Sequence, residues 1–114
     1  MPKQKLHPLP SAAFQILLAL VGEDLHGYGI MRQVAQQTDG RMRLGPGTVY
    51  SSIHTLLEAQ LIEETGARED ARLGSERRRY YRLTAAGRRT LAAQRSVWES
   101  FFDALSRVAK IRPA

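Results

Sequence analysis

The stretch Gly45-Pro46-Gly47-Thr48-Val49-Tyr50-Ser51-Ser52-Ile53-His54-Thr55-Leu56-Leu57 decides how this chain is read. A proline between two glycines suits the first turn of a helix, where its missing N–H leaves nothing unpaired. Val49, Ile53, Leu56 and Leu57 then fall on one face at helical spacing. Tyr50, Ser51, His54 and Thr55 lie largely off that face. A solvated helix surface normally carries Lys and Glu, so an outward face of hydroxyls, a phenol and an imidazole is unusual. The periodicity predicts a helix over residues 46–60.

Outward from this helix, apolar stripes alternate with breaks. Residues 1–9 are Pro-rich and carry Lys3 and Lys5 without an acid, which reads as a basic arm. Pro10 suits a first turn, and Phe14, Leu17, Leu18 and Val21 follow at helical spacing until Gly22. Ile30, Met31 and Val34 predict a shorter helix over 27–38. Tyr28 opens it, and Gly27 and Gly29 are expected to let it approach the first helix closely. Asp39-Gly40 is a turn signal, and Met42 and Leu44 alternate with Arg41 and Arg43 as in a short strand. Beyond the central helix, residues 61–65 read as a strand. Arg77-Arg78-Arg79-Tyr80-Tyr81-Arg82-Leu83 reads as a second, and the charged segment 66–76 forms a long hairpin tip. Thr84 is placed to cap a last helix. Along it Leu91, Trp98 and Leu105 recur every seven residues, with Phe101 and Val108 between them, a short coiled-coil-like seam.

The predicted order is helix, helix, helix, hairpin, helix, a mostly α chain with a small β-hairpin. Residues 10–83 then make a winged helix-turn-helix and residues 84–114 a C-terminal dimerisation helix. A chain of 114 residues has room for one domain and gains from burying surface in an oligomer. The 17 Lys and Arg against 11 Asp and Glu, net +6, suit a polyanionic partner through counterion release. A helix fits the major groove of double-stranded DNA, and an arginine-rich hairpin suits the backbone or the adjoining minor groove.

Other chemistries find little support. The absence of Cys excludes disulfides, thiolate chemistry and Cys-ligated metals, and agrees with a reducing cytoplasm. The apolar run 16–21 is too short to span a bilayer and lacks a cleavage pattern, so no membrane partner and a cytoplasmic location are expected. His7, His26 and His54 are scattered, without a nucleophile triad, paired carboxylates or metal-ligand spacing. His26-Gly27-Tyr28-Gly29 does not have the spacing of a phosphate-binding loop and follows no predicted strand. The expectation is a non-enzyme with no cofactor and no metal.

Three motifs in register resemble the PadR family of transcriptional regulators. They are Leu25-His26-Gly27-Tyr28-Gly29-Ile30, Gly47-Thr48-Val49-Tyr50 with Leu56 and Leu57, and Arg79-Tyr80-Tyr81-Arg82-Leu83-Thr84 followed by Gly87. The resemblance spans residues 10–108, and the single final helix is similar to the compact branch of the family. Gln60 departs from it where a Gly often ends the third helix, so that turn is expected to differ. The resemblance implies a homodimeric repressor on a pseudo-palindromic operator, with residues 46–59 as the readout helix. Carried onto this sequence, Thr48, Tyr50, Ser51, Ser52, His54 and Thr55 are the DNA-binding candidates. Thr48 at the helix N-terminus favours a phosphate. Tyr50 has two readings, a donor to phosphate or a ring packed on the first helix. His54 also has two, reaching a base edge or standing as an exposed spectator.

Arg77, Arg78 and Arg79 are the wing candidates, and Arg82 is more readily masked by the fold. Alternation puts Arg77 and Arg79 on the face of Tyr81 and Leu83, opposite Arg78, Tyr80 and Arg82, so one strand cannot send every arginine to DNA. Glu69, Asp70 and Glu76 leave a solvated, salt-bridged tip as the other reading. On the last helix Leu91, Trp98, Phe101, Phe102 and Leu105 form the expected dimer interface. Indoles paired across a two-fold axis would sandwich a small aromatic, hydrophobic or cationic effector, as the resemblance to drug-binding compact members implies. Two rivals stand beside this reading: a winged-helix protein–protein module without DNA, and a protein that is first a small-molecule sensor.

Overall fold

In the computed structural model, residues 11–69 and 77–111 are described. The arm over 1–9 and the middle of the hairpin tip, with Asp70 and Glu76, lie outside the described residues. Helix α1 (Ala12–Ala19) starts on Ser11, whose hydroxyl accepts the Phe14 N–H at 3.2 Å. It is therefore shorter than the span from Pro10 to Gly22, and it closes at Leu20. A short strand, β1 (Leu25–His26), precedes α2 (Gly27–Gln37). The His26 ring caps α2, its Nδ1 accepting the Gly29 N–H at 3.1 Å. Helix α3 (Pro46–Glu58) follows, then β2 (Ile62–Glu69), β3 (Arg77–Leu83) and α4 (Ala85–Ile111).

The expected strand at 41–44 is absent. Met42 and Leu44 are half-buried against the core and Arg41 and Arg43 are exposed, so the alternation in burial is real. None of the described strands pairs with them, and the Met42 N–H donates to the Thr38 hydroxyl at 3.0 Å instead. Nor is the sheet a simple hairpin. Its order is β1-β3-β2, antiparallel throughout, with Leu25 opposite Tyr81 and His26 opposite Tyr80. Ile62 pairs with Leu83 and Glu64 with Tyr81, after which an irregularity shifts Gly66 opposite Tyr80.

Ile16, Leu17 and Leu20 from α1 and its end meet Ile30 and Val34 of α2, and Val49, Ile53 and Leu56 of α3. Ile62, Tyr81 and Leu83 close this core from the sheet. Burial raises the pKa of the Tyr81 hydroxyl above the usual phenol range, and Glu64 pushes it the same way. A polar tie joins α1 to α2, where Gln37 Nε2 donates to both the carbonyl and the side-chain oxygen of buried Gln15, each at 2.8 Å.

The start of α4 is pinned to the turn after α3. Thr84 Oγ1 accepts the Gly87 N–H at 3.0 Å and donates to the Gln60 carbonyl at 2.7 Å. A side chain at Gly87 would collide with the Leu61 carbonyl. Leu91 still packs against the core, but beyond it α4 carries Val97, Phe101, Phe102, Leu105 and Val108 exposed. At the usual helical rise this helix is roughly 40 Å long, which accounts for the molecule's 58 × 30 × 30 Å extents.

Candidate nucleic-acid interface

Helix α3 buries Val49, Ile53 and Leu56 and turns the opposite face to solvent. Thr48, Tyr50, Ser51, His54 and Thr55 are exposed on it, and Ser52 is half-buried. Two hydroxyls are tied to the helix itself: Ser51 Oγ donates to the Thr48 carbonyl at 3.2 Å and Thr55 Oγ1 to the Ser51 carbonyl at 3.1 Å. Their oxygens keep lone pairs to accept from outside. His54 Nε2 lies 3.4 Å from the Glu58 carboxylate, one turn along the same helix.

Where Tyr50 packs, it packs on α2 and not on the first helix. It is 53% exposed, yet its hydroxyl end rests on the first residue of α2, where a Cβ on Gly27 would collide with it. Gly27 thus permits an approach between α2 and α3, not between α1 and α2. Tyr50 keeps one edge to solvent and one against α2.

The N-terminus of α3 is bare. Its N-cap is Gly45, with no side-chain hydrogen bond, and Pro46 has no N–H. The N–H groups of Gly47 and Thr48 are left for an acceptor outside the helix. A Cβ at Gly45 or Gly47 would meet nothing within 4 Å, and neither has a positive φ. Exposed Arg41 and Arg43 stand on the approach to this end. Sequence reading assigned them to a strand, and their place just ahead of a helix start is the signal that finds them.

In the wing, Arg79 Nη1 reaches both carboxylate oxygens of Glu64, at 3.1 and 3.2 Å, and Arg82 Nε bonds Glu63 at 2.7 Å. The bond to Glu63 raises the Arg82 pKa above the ordinary guanidinium value. Exposed pairs of this kind are weak and screened by solvent, so a phosphate can compete for either arginine. The Arg77 and Arg78 backbones pair with Glu69 and Arg68, and their side chains lie outside the described residues.

At the far end of the molecule, Trp98 packs within its own chain. Its ring centroid is 5.9 Å from that of Phe14 on α1 and 5.5 Å, edge-on, from Phe101. The indole Nε1 is buried and has no hydrogen-bond partner among the described residues. Phe102 and Leu105 on the next turn are each 63% exposed. No described helix is long and apolar enough to cross a membrane.

The profile of the transcriptional regulator PadR-like family matches residues 16–93. Among solved structures, a transcriptional regulator from Clostridium thermocellum is similar at 25% identity and a TM-score of 0.67, over 84% of this chain and 87% of that one. A PadR-like regulator from Bacillus cereus superposes with a TM-score of 0.71 at 18% identity, over 88% and 92%. Bacillus subtilis PadR, solved in complex with operator DNA, is similar over 71% of this chain and 44% of its own length, at 20% identity and a TM-score of 0.61. No curated protein sequence matches. With the family profile covering most of the chain and the winged helix-turn-helix in place, this protein belongs to the PadR-like family of transcriptional regulators.

Proposed function

We propose that the protein is a homodimeric repressor that binds a pseudo-palindromic operator through the α3 helix of each protomer. The bare N-terminus of α3 carries this reading. Two glycines there have no conformational or packing need to be glycine, and they leave backbone N–H groups where a phosphate can approach closely. Behind them stands a face of Thr48, Tyr50, Ser51, Ser52, His54 and Thr55, with Arg41 and Arg43 before it and Arg77, Arg78 and Arg79 in the wing. The operator complex of Bacillus subtilis PadR supports the same partner.

Dimerisation falls to α4, whose Phe101, Phe102, Leu105 and Val108 are too apolar to face water as a continuous strip. Such a dimer sets two α3 helices into successive major grooves, roughly 34–36 Å apart, and represses by occlusion. A small hydrophobic or aromatic effector entering the α4 seam near Trp98 would change the angle between protomers and release the operator. Phe14 and Phe101 already flank the indole, so the effector meets an aromatic cluster and not a bare ring.

Selection of bound duplexes from a random pool, with competitor DNA present, tests this. The expected result is a palindrome whose binding weakens with salt at a log–log slope of about −0.9 per phosphate contact. No enriched sequence, or binding that ignores salt, overturns it in favour of a protein–protein module.

A further inference from the structure

We propose a second ligand site, distinct from the α4 seam: the cleft between α2 and the β1–β3 edge, built to hold a flat aromatic cation. The cleft has a volume of about 480 Å³ and is lined by Glu23, Asp24, His26, Tyr28, Arg32 and Tyr80, among others. That size matches small-molecule sites. Its walls are rings. His26 meets Tyr80 edge-on with centroids 5.1 Å apart, and lies within 15° of parallel to Tyr28 at 6.4 Å.

The chain already places a flat cation here. The Arg32 guanidinium lies over the Tyr28 ring, 5.9 Å from its centroid, an arrangement a planar aromatic cation can take over. Glu23 and Asp24 at the same cleft supply the opposite charge. In a chain of net +6, two carboxylates against the one Arg32 guanidinium make this cleft a poorer seat for a phosphate than the surface around α3.

The cleft also lies beside the seat of α3, the helix proposed to read DNA. His26 is at once a wall of the cleft and the cap of α2, through its bond to the Gly29 N–H. The next residue, Gly27, is where the Tyr50 hydroxyl of α3 rests. A ligand that turns the His26 ring withdraws the cap, shifts the first turn of α2 and moves the seat of Tyr50. The cleft thus couples to α3 within one protomer and without the dimer axis.

Titrating N-methylquinolinium into the full-length protein, followed by amide NMR, tests the site. The expected result is saturable shifts at Gly29, Arg32, Tyr80 and Tyr50. The double variant Glu23→Gln/Asp24→Asn and, separately, Tyr28→Leu should each weaken binding at least tenfold with unchanged circular dichroism. Trp98→Leu should leave it intact. Shifts confined to the Trp98 indole N–H and α4, or none at millimolar dye, overturn the cleft site. Operator binding is measured apart from these arms, so the cleft can fail while the repressor reading stands.

Discussion

Gly27 and Gly47 open successive helices, and their reasons for being glycine differ. Gly27 is needed by the fold itself, because the Tyr50 hydroxyl occupies the space of its side chain. Gly47 faces open solvent, and in helical geometry glycine there is a loss of about 0.5–1 kcal/mol against alanine. Gly47→Ala should therefore raise the unfolding midpoint while weakening operator affinity about tenfold or more, because its methyl stands where a phosphate approaches. Denaturant titration and a binding isotherm on the same preparation check both signs. Affinity unchanged by the methyl would remove the close backbone approach from the proposed mechanism. Sequence alone ranks both glycines as punctuation. Only the neighbour across the helix pair tells them apart.

Between residues and the whole molecule, the ends of the elements carry most of the discrepancies. The apolar periodicity located all four helices, since it reports which face is buried. It missed Ser11 as the cap of α1 and His26 as the cap of α2, both single side-chain bonds to a backbone N–H. It missed β1, whose two residues are too few to show a period. It also made a strand of 41–44, where burial alternates but none of the described strands pairs with it. The departure at Gln60 is resolved here too. Gln60 takes φ 63°, and the Leu61 N–H returns to the Leu56 carbonyl at 3.0 Å, the geometry in which glycine is favoured. Gln60→Gly should stabilise the fold by about 0.5–1 kcal/mol, a rise of a few degrees in Tm for a chain of this size. A fall in Tm measured by calorimetry would mean that the Gln60 side chain contributes more than its backbone loses.

For the whole molecule, the question is what covers the outer half of α4. Leu105 is 63% exposed, and replacing such a residue in a monomer should change stability by less than about 0.5 kcal/mol. In the proposed dimer, Leu105→Asp buries a carboxylate at the seam. The expected outcome is a monomer by sedimentation, with operator affinity reduced about 100-fold or more through loss of the second half-site. A variant that sediments as a dimer places the seam elsewhere.

Sequence by itself determined the helix order, the arginine-rich wing strand and the family, because periodicity, turn chemistry and short motifs are local. It also marked the outward face of α3, since hydroxyls and a phenol at those positions stand out against the apolar stripe. Tertiary structure decided what those residues touch. It put the Tyr50 hydroxyl on Gly27, drew Arg79 and Arg82 to Glu64 and Glu63, and packed Trp98 on Phe14 of a helix more than 80 residues earlier in the chain. Each of these is a contact between elements, and their spacing along the chain carries no period from which to read it.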